Sequence, residues 1–454
     1  MSYLSEELAE FILDLNYDNI PQEVIQKLKL QILDIIGISL ASSKHDFGVA
    51  VYDAAKMLGG NSGSTIIGFP GEMPAALAVL VNGTLAHGLD YDDTHMEGAV
   101  HGGATTIPTA LAVGEEVGAD GASILTAIVG GLEVVARLGI AAKNGFHARG
   151  FHPTAICGAL SSALISGRIY NMTKSAIARA LGLAGTMASG LGEIADSWLK
   201  RMHPGWASHA GVFAALLSRN GFIGPMTILE GKQGLYASHL KGHHYDLEEI
   251  TKGLGVEWET LNIGLKPYPC CHPINAFIDC AKRIRADHEI SHEDIDEVLC
   301  KVSKPLLDLL FNGNPFHPSS EYSAQFSIPF VTATTLVYGT VNLRSFKSDR
   351  LNDPEVAELA DKIRIDEDSE SDYPKNYPGF VRVKTKDGSI YEWRERNNRG
   401  GRDNPLSREE VEEKYFKNVE NVIPKESAER VRDMIERFEC LENVRVLTKL
   451  MSKD

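Results

Sequence analysis

From the start of the chain to about residue 265, apolar residues recur at three- and four-residue spacing, with almost no strict alternation. Such spacing places them on one face of a helix, as for Val24, Leu28 and Ile32. Residues 75–81 are apolar on nearly every side, which is typical of a helix buried among other helices. The pattern predicts a large helical bundle, with helices at about 21–42, 46–58, 73–88, 104–117, 121–142, 154–169, 174–188 and 205–220.

The pattern changes after residue 265. Residues 294–302 are predicted to form a strand, and residues 380–393 alternate around Asp387-Gly388. A tight turn needs positive φ at that dipeptide, so this segment predicts a hairpin. Residues 266–400 are therefore predicted to form a separate α+β domain. Helices in and after this region are predicted near 273–287, 354–364, 406–418 and 424–439, and the pattern alone fits the last two to either domain.

The 454 residues suggest two or three domains. The charge composition then limits the kinds of molecule that the chain is expected to bind. Acidic residues number 61 against 45 basic ones, a net charge of −16 that would repel nucleic acid and anionic membranes. An anionic ligand would therefore need a local cluster of cations. The six cysteines form no C-x-x-C pair and the N-terminus is acidic, so we expect a reducing, cytoplasmic location.

Histidine is concentrated in one part of the chain. Eleven of the 15 histidines lie between residues 87 and 272, where even spacing would place about six. Imidazole exchanges protons near neutral pH and, when protonated, binds carboxylates. The excess predicts a protonatable cavity inside the helical part.

A loop after the buried helix carries three aspartates and two histidines between Leu89 and His101. Its residues suit a divalent metal, a solvated or helix-capping loop, or a proton-handling active site, and we favour the last. Three further segments place a histidine directly before a proline, where a helical pattern then starts. A helix N-terminus attracts anions, so each is predicted to contribute to a carboxylate site. These histidines are His152, His203 and His272.

Motifs of other enzyme classes are missing or incomplete. The chain contains neither G-x-G-x-x-G nor G-x-S-x-G, which argues against dinucleotide-binding and serine-hydrolase chemistry. The glycine-rich stretch 59–65 lacks the ending of a phosphate-binding loop and is predicted to be an ordinary turn. Cys270 and Cys271 precede His272, but side chains of sequence neighbours seldom face each other, so a nucleophilic cysteine is not favoured.

Taken together, these segments resemble the MmgE/PrpD family over roughly residues 5 to 440. The family includes 2-methylcitrate dehydratase, cis-aconitate decarboxylase and iminodisuccinate epimerase. The matching motifs, in the family's order, are Ala86-His-Gly-Leu-Asp-Tyr-Asp-Asp-Thr-His95, Phe151-His-Pro-Thr154, the run from Lys200 to Gly211, the run from Gly221 to Gly231, Lys266-Pro-Tyr-Pro-Cys-Cys-His272 and Ala324-Gln-Phe-Ser-Ile-Pro329.

The resemblance implies a mainly α fold with an inserted α+β domain. An all-helical domain would be built from both chain ends (residues 1–265 and 401–454), and the inserted domain, related to chorismate mutase, would comprise residues 266–400. It also implies a homodimer, an active site in the cleft between the domains, a small di- or tricarboxylate substrate, and neither metal nor organic cofactor.

Site residues follow from the matching motifs. The resemblance implies acid–base and carboxylate-binding roles for His101, His152, Lys200 and His272. Asp90 and Thr94 would line the pocket, Arg201 would clamp a carboxylate, and Tyr322 would donate a hydrogen bond.

One departure concerns the residues after His101. Family members that act on methylcitrate or cis-aconitate usually carry His-Pro-Ser here, whereas this chain has His101-Gly102-Gly103. The leading prediction is dehydration of a 2-methylcitrate-like 2-hydroxy acid, with proton transfer by His101 and Lys200. The alternatives are epimerisation of an iminodisuccinate-like dicarboxylate, decarboxylation of a cis-aconitate-like acid, and a non-catalytic carboxylate-binding protein.

Overall fold

The computed structural model describes residues 2–60, 63–194, 196–310 and 316–453. Asn61 and Ser62, in the predicted turn at 59–65, lie outside the described residues. The chain divides into two units. The helical unit comprises Met1–Glu193, Trp198–Ile263 and Ser407–Asp454, and the mixed unit comprises Ile194–Ser197 and Gly264–Leu406. The predicted fold class, mainly α with an additional α+β domain, is confirmed.

The helical unit contains helices from both ends of the chain. The first set is α1 (Leu4–Asp14), α2 (Gln22–Ser42), α3 (Asp46–Met57), α4 (Ala75–His87), α5 (Gly103–Val117), α6 (Gly121–Ala141), α7 (Gly145–Ala148), α8 (Pro153–Ile169), α9 (Lys174–Met187), α10 (Leu199–Arg219) and α11 (Leu235–His239). The last set is α18 (Arg408–Val419), α19 (Lys425–Glu436) and α20 (Arg445–Thr448). Its short strands are β1 (Ser64–Thr65), β2 (Glu72–Met73) and β3 (Asp93–His95), and β4 (Ile263–Leu265) lies where the chain leaves this unit.

The centre of the helical unit is formed by helices that are apolar on all sides. Almost every residue of α6 and α8 is buried. The 21-residue helix α6 is apolar and long enough to cross a membrane, yet its most apolar window is fully buried within the protein. It also carries an internal ion pair, with Arg137 Nη1 2.6 Å from Glu133 Oε2. These features identify α6 as a core helix of this unit.

Helix α10 begins earlier than the sequence predicts. The dipeptide His203-Pro204 predicts a helix start at about residue 205, but α10 begins at Leu199 and contains Pro204. Pro204 is the sixth residue of α10, so its missing N–H removes one helical hydrogen bond, the one to the carbonyl of Lys200, and the helix continues through it. The prediction that His203 lies at a helix N-terminus is therefore wrong, and Lys200, Arg201 and His203 all lie on the first turns of α10.

The C-terminal helices pack onto the same unit. Lys414 on α18 is buried against α2, with its Nζ 2.7 Å from Asp34 Oδ1. Both side chains of this pair are at least 95% buried, with relative exposures of 5% and 0%. A buried ion pair whose partners lie 380 residues apart ties the two ends of the chain together.

The mixed unit has a four-stranded sheet in the order β6-β5-β7-β8. β5 (Ile295–Val302) pairs in parallel with β6 (Ile363–Glu367) and antiparallel with β7 (Gly379–Thr385), which pairs antiparallel with β8 (Ile390–Glu395). The predicted hairpin is confirmed, since β7 and β8 flank Gly388 at φ 90°. The helices of this unit are α12 (Asn275–His288), α13 (Lys304–Leu310), α14 (Glu321–Ala324), α15 (Ile328–Tyr338), α16 (Ser348–Leu351) and α17 (Pro354–Asp361).

Candidate active site

Two glycines allow α4 and α10 to approach closely. A Cβ atom on Gly83 would lie 2.8 Å from Gly205 Cα, and one on Gly205 would lie 2.2 Å from the carbonyl oxygen of Leu80. No larger residue fits this crossing without moving a helix. The contact brings the first turns of α10 beside the loop that follows α4. This loop, residues 89–101, carries Asp90, Asp92 and Asp93, and we call it the aspartate-rich loop.

Lys200 and Asp90 form a buried ion pair at this point. Lys200 Nζ lies 3.0 Å from Asp90 Oδ2, and the two side chains are 10% and 6% exposed. Asp90 has a φ of 49°, a left-handed conformation that Asp and Asn adopt more readily than most residues. The turn at Asp90 therefore directs its carboxylate toward α10, and two predicted site residues are brought together.

His101 is held in one tautomer by the backbone. Its Nδ1 lies 2.7 Å from the carbonyl oxygen of Asp93, and a carbonyl only accepts, so Nδ1 carries the hydrogen. Thr94 Oγ1 lies 3.3 Å from the same nitrogen. The backbone N–H of His101 donates to Thr154 Oγ1 on α8 at 3.0 Å. Nε2 of His101 is thus the nitrogen with a lone pair, and His101 itself is partly exposed.

His152 lies at the N-terminus of α8, as predicted. It is the N-cap residue, Pro153 occupies the first helical position, and its backbone N–H donates to the carbonyl of Gly190 at 2.9 Å. Its Nδ1 lies 3.1 Å from Nδ1 of His203 on α10, so one of these two nitrogens donates to the other. Both imidazoles are buried.

His87 and Asp92 belong to the same group, although sequence reasoning gave neither a role. His87, the last residue of α4, has its Nδ1 2.7 Å from Asp92 Oδ2, and both residues are buried. The ring centroid of His87 lies 4.7 Å from that of His101 and 5.7 Å from that of His152. A polar residue ending an otherwise apolar, buried helix was the available signal. We call His87, His101, His152 and His203 the histidine cluster.

Burial keeps part of the cluster neutral. Desolvation, followed by the nearby Lys200 ammonium, holds the pKa of His152 well below its usual value. Desolvation also lowers the pKa of His203 to about 4, with smaller contributions from His87 and Lys200. Neutral imidazoles accept protons. The site therefore places proton acceptors and an ammonium group within one buried region.

Gly103 explains how the loop is anchored. The carboxylate of Asp93 accepts hydrogen bonds from the Gly103 N–H at 3.0 Å to both oxygens. A Cβ on Gly103 would lie 2.4 Å from Asp93 Oδ1. Burial, and then the neighbouring Asp92, raise the pKa of Asp93 to about 7. Gly103, one of the two glycines that depart from the usual family pattern, thus provides room for a buried carboxylate.

Arg201, His272 and Tyr322 make other described contacts. The guanidinium of Arg201 lies over the ring of Phe47, 4.6 Å from its centroid. His272 and Tyr322 belong to the mixed unit. There Asn398 Nδ2 donates to His272 Nε2 at 2.8 Å, and Tyr322 packs its ring 4.8 Å from that of Phe326. Within the helical unit, the structure brings together Asp90, Thr94, His101, His152 and Lys200.

Comparison with models of known protein families shows which family this chain belongs to. The model of the MmgE/PrpD N-terminal domain matches residues 6–248, and that of the MmgE/PrpD C-terminal domain matches residues 268–440. The chain therefore belongs to the MmgE/PrpD family, which confirms the resemblance seen in the sequence.

Curated relatives span the whole chain. It is 26% identical to cis-aconitate decarboxylase of Mus musculus, over 99% of this chain and 93% of that protein. Cis-aconitate decarboxylase of Homo sapiens is 26% identical, with 99% and 94% covered, and that of Aspergillus terreus is 25% identical, with 99% and 96% covered. The chain is thus an enzyme of a lyase-type family.

Proposed function

We propose that this enzyme is a lyase that needs no resident cofactor and acts on a small di- or tricarboxylate. Its leading reaction is dehydration of a 2-methylcitrate-like 2-hydroxy acid by removal of a proton α to a carboxylate. One observation carries the proposal: a histidine cluster, two of whose members have a lowered pKa, lies beside a buried Lys200–Asp90 pair. A reaction that begins by taking a proton needs such neutral bases.

His101 is the proposed base. Its Nδ1–H donates to the Asp93 carbonyl, which leaves Nε2 as the proton acceptor, and it is the partly exposed member of a cluster otherwise buried. In the proposed step, Nε2 takes the α-proton and the C–H electron pair forms the new C=C bond. The C–O bond then breaks and its electron pair leaves with the hydroxyl group.

Lys200 is the proposed acid. Its ammonium gives a proton to the departing hydroxide, so water leaves, and the proton held by His101 restores the ammonium afterwards. Asp90 keeps the lysine side chain in place through the 3.0 Å contact. The positive charge of Lys200 also offsets the negative charge that develops beside the substrate carboxylate in the transition state. Thr94, His152, Arg201, His272 and Tyr322 keep their sequence-based roles in substrate binding and proton transfer as proposals.

Decarboxylation of a cis-aconitate-like acid is the second candidate, and the names of the curated relatives favour it. Here a C–C bond breaks, its electrons stay on carbon, carbon dioxide leaves, and the carbanion is quenched by a proton. That reaction requires a proton donor to quench the carbanion, for which Lys200 is again the proposed group. Neutral imidazoles are less suited to that role than to accepting a proton.

The experiment is a substrate screen followed by proton NMR in D₂O. Methylcitrate, citrate, cis-aconitate, tartrate and iminodisuccinate are each incubated with purified enzyme, with and without chelator. We expect a new vinyl signal from a 2-hydroxy tricarboxylate, with the same rate after chelation. Release of carbon dioxide would favour the second candidate, and deuterium entry with retained connectivity would favour epimerisation. A rise in melting temperature without turnover of any compound would contradict the proposal and favour a binding protein.

A further inference from the structure

Three imidazoles of the histidine cluster converge. His87, His101 and His152 each offer a ring nitrogen, and these three atoms lie within 4.8 Å of one another. The Nε2 atoms of His87 and His152 are buried and have no hydrogen-bond partner within the described part of the chain. Two buried, unpartnered nitrogens are costly in a folded protein, and a ligand that binds them would remove that cost.

In two of the three histidines, the other ring nitrogen has the kind of partner that metal-binding histidines usually have. A histidine ligand typically donates its second N–H to a carboxylate or a backbone carbonyl, which fixes the tautomer and the ring orientation. His87 Nδ1 faces the Asp92 carboxylate at 2.7 Å, and His101 Nδ1 donates to the Asp93 carbonyl at 2.7 Å. His152 Nδ1 lies 3.1 Å from Nδ1 of His203. Nε2 is therefore the metal-binding nitrogen of His87 and His101, and it is also that of His152 when His152 Nδ1 donates to His203.

We infer that His87, His101 and His152 form a site for a divalent first-row transition-metal ion of the Zn²⁺ type. Imidazole nitrogen suits Zn²⁺, Co²⁺ and Ni²⁺, whereas Mg²⁺ and Ca²⁺ prefer oxygen. Two nitrogens bound at about 2.1 Å in a tetrahedral zinc site lie about 3.4 Å apart, so a pair separated by the full 4.8 Å must close by about 1.4 Å. Rotation of the three rings must supply this closure when the ion binds.

Nearby charges favour the cation. The carboxylates of Asp90 and Asp92 offer oxygen atoms within 4.8 Å of a ring nitrogen of His87, so both place negative charge beside the three histidines. These two negative charges outweigh the single positive charge of Lys200, which already pairs with Asp90. A bound ion would occupy the lone pair of His101, the proposed base, so the metal is an inhibitor and not a cofactor.

The test uses cobalt as a spectroscopic probe on the full-length, chelator-treated enzyme. We expect one Co²⁺ per chain, with the visible ligand-field bands of a nitrogen and oxygen site, no thiolate charge-transfer band, and displacement by Zn²⁺. His87→Gln should weaken binding by more than about 100-fold. Asp92→Asn should weaken it by about 10- to 100-fold, the usual effect of losing an outer-shell partner.

The chain offers a matched control. His243 and His244 are adjacent and exposed, so they are the natural place for non-specific metal binding. The double variant H243N/H244N should keep the cobalt spectrum and affinity of the wild type. Loss of the bands in this variant, or wild-type affinity in folded H87Q and D92N, would overturn the inference. Circular dichroism establishes that each variant is folded.

Cobalt binding is read without turnover, so this result is independent of the proposed function. Given turnover of any substrate, Zn²⁺ should inhibit the wild type at the concentration at which it displaces cobalt. Cobalt binding without any turnover would contradict the proposed function alone. Turnover that zinc leaves unchanged after cobalt has been displaced would overturn the inhibitory role.

Discussion

Replacing Asp90 by Asn tests whether its ion pair with Lys200 holds the loop onto α10. Asn tolerates the φ of 49° at this position, so the substitution changes charge without adding backbone strain. At 3.0 Å and an effective dielectric constant of about 20, the attraction is about 5 kcal/mol. Removing one partner of a buried pair typically costs about 3–5 kcal/mol. We expect a loss of this size in the apparent free energy of unfolding.

Urea denaturation followed by circular dichroism measures the effect, with a double-mutant cycle as its control. Lys200→Met alone should also destabilise, because Asp90 loses its ammonium partner. D90N/K200M removes both charges and should be more stable than the sum of the single losses predicts, by about 0.5–3 kcal/mol. Single losses below about 1 kcal/mol, or strictly additive effects, would refute the reasoning.

Three further predictions concern the same region. Gly103→Ala places a Cβ 2.4 Å from Asp93 Oδ1, so it should lower the free energy of unfolding, measured by urea denaturation, by about 1–3 kcal/mol. An unchanged free energy of unfolding would contradict the claim that the contact between Gly103 and Asp93 anchors the loop. Gly205→Ala should separate α10 from α4 and lower both melting temperature and kcat, whereas a normal kcat would show that the crossing does not position Lys200. The pKa of His203 is about 4 in the folded chain and about 6.5 in the unfolded chain, so the unfolded chain binds the proton first as the pH falls. Stability should therefore drop between about pH 6.5 and about pH 4, by at most about 3 kcal/mol, and His203→Gln should flatten this drop in a melting series; equal slopes would contradict the shift.

Local periodicity was enough to predict most helices of the bundle. The starts and ends of α5, α6, α8 and α9 lie within about two residues of the predicted positions, because continuous apolar faces leave little choice of register. The predicted start of α10 was wrong because His203-Pro204 is a helix-start signal in isolation. Packing of Gly205 against α4 is a long-range effect that no local rule contains.

In the candidate site, too, local sequence signals predicted some residues, whereas other contacts depend on long-range packing. The aspartate-rich loop and the histidine excess indicated proton chemistry, and the family motifs selected Asp90, His101, His152 and Lys200. The pairing of His87 with Asp92 could not be predicted, since it depends on how the chain turns after α4, with Asp90 at positive φ. The contact between His152 and His203 joins residues 51 apart and exists only because α8 packs on α10.

The measurement that tests the central claim most directly is the turnover of His101→Asn on the best substrate from the screen. Its matched control is His244→Asn, an exposed histidine outside the site. A positioned acid–base group typically contributes about 10² to 10⁴ in rate, so we expect H101N to lose at least about 100-fold in kcat while H244N keeps the wild-type rate. A near-normal kcat in folded H101N would contradict the claim that the histidine cluster moves the proton.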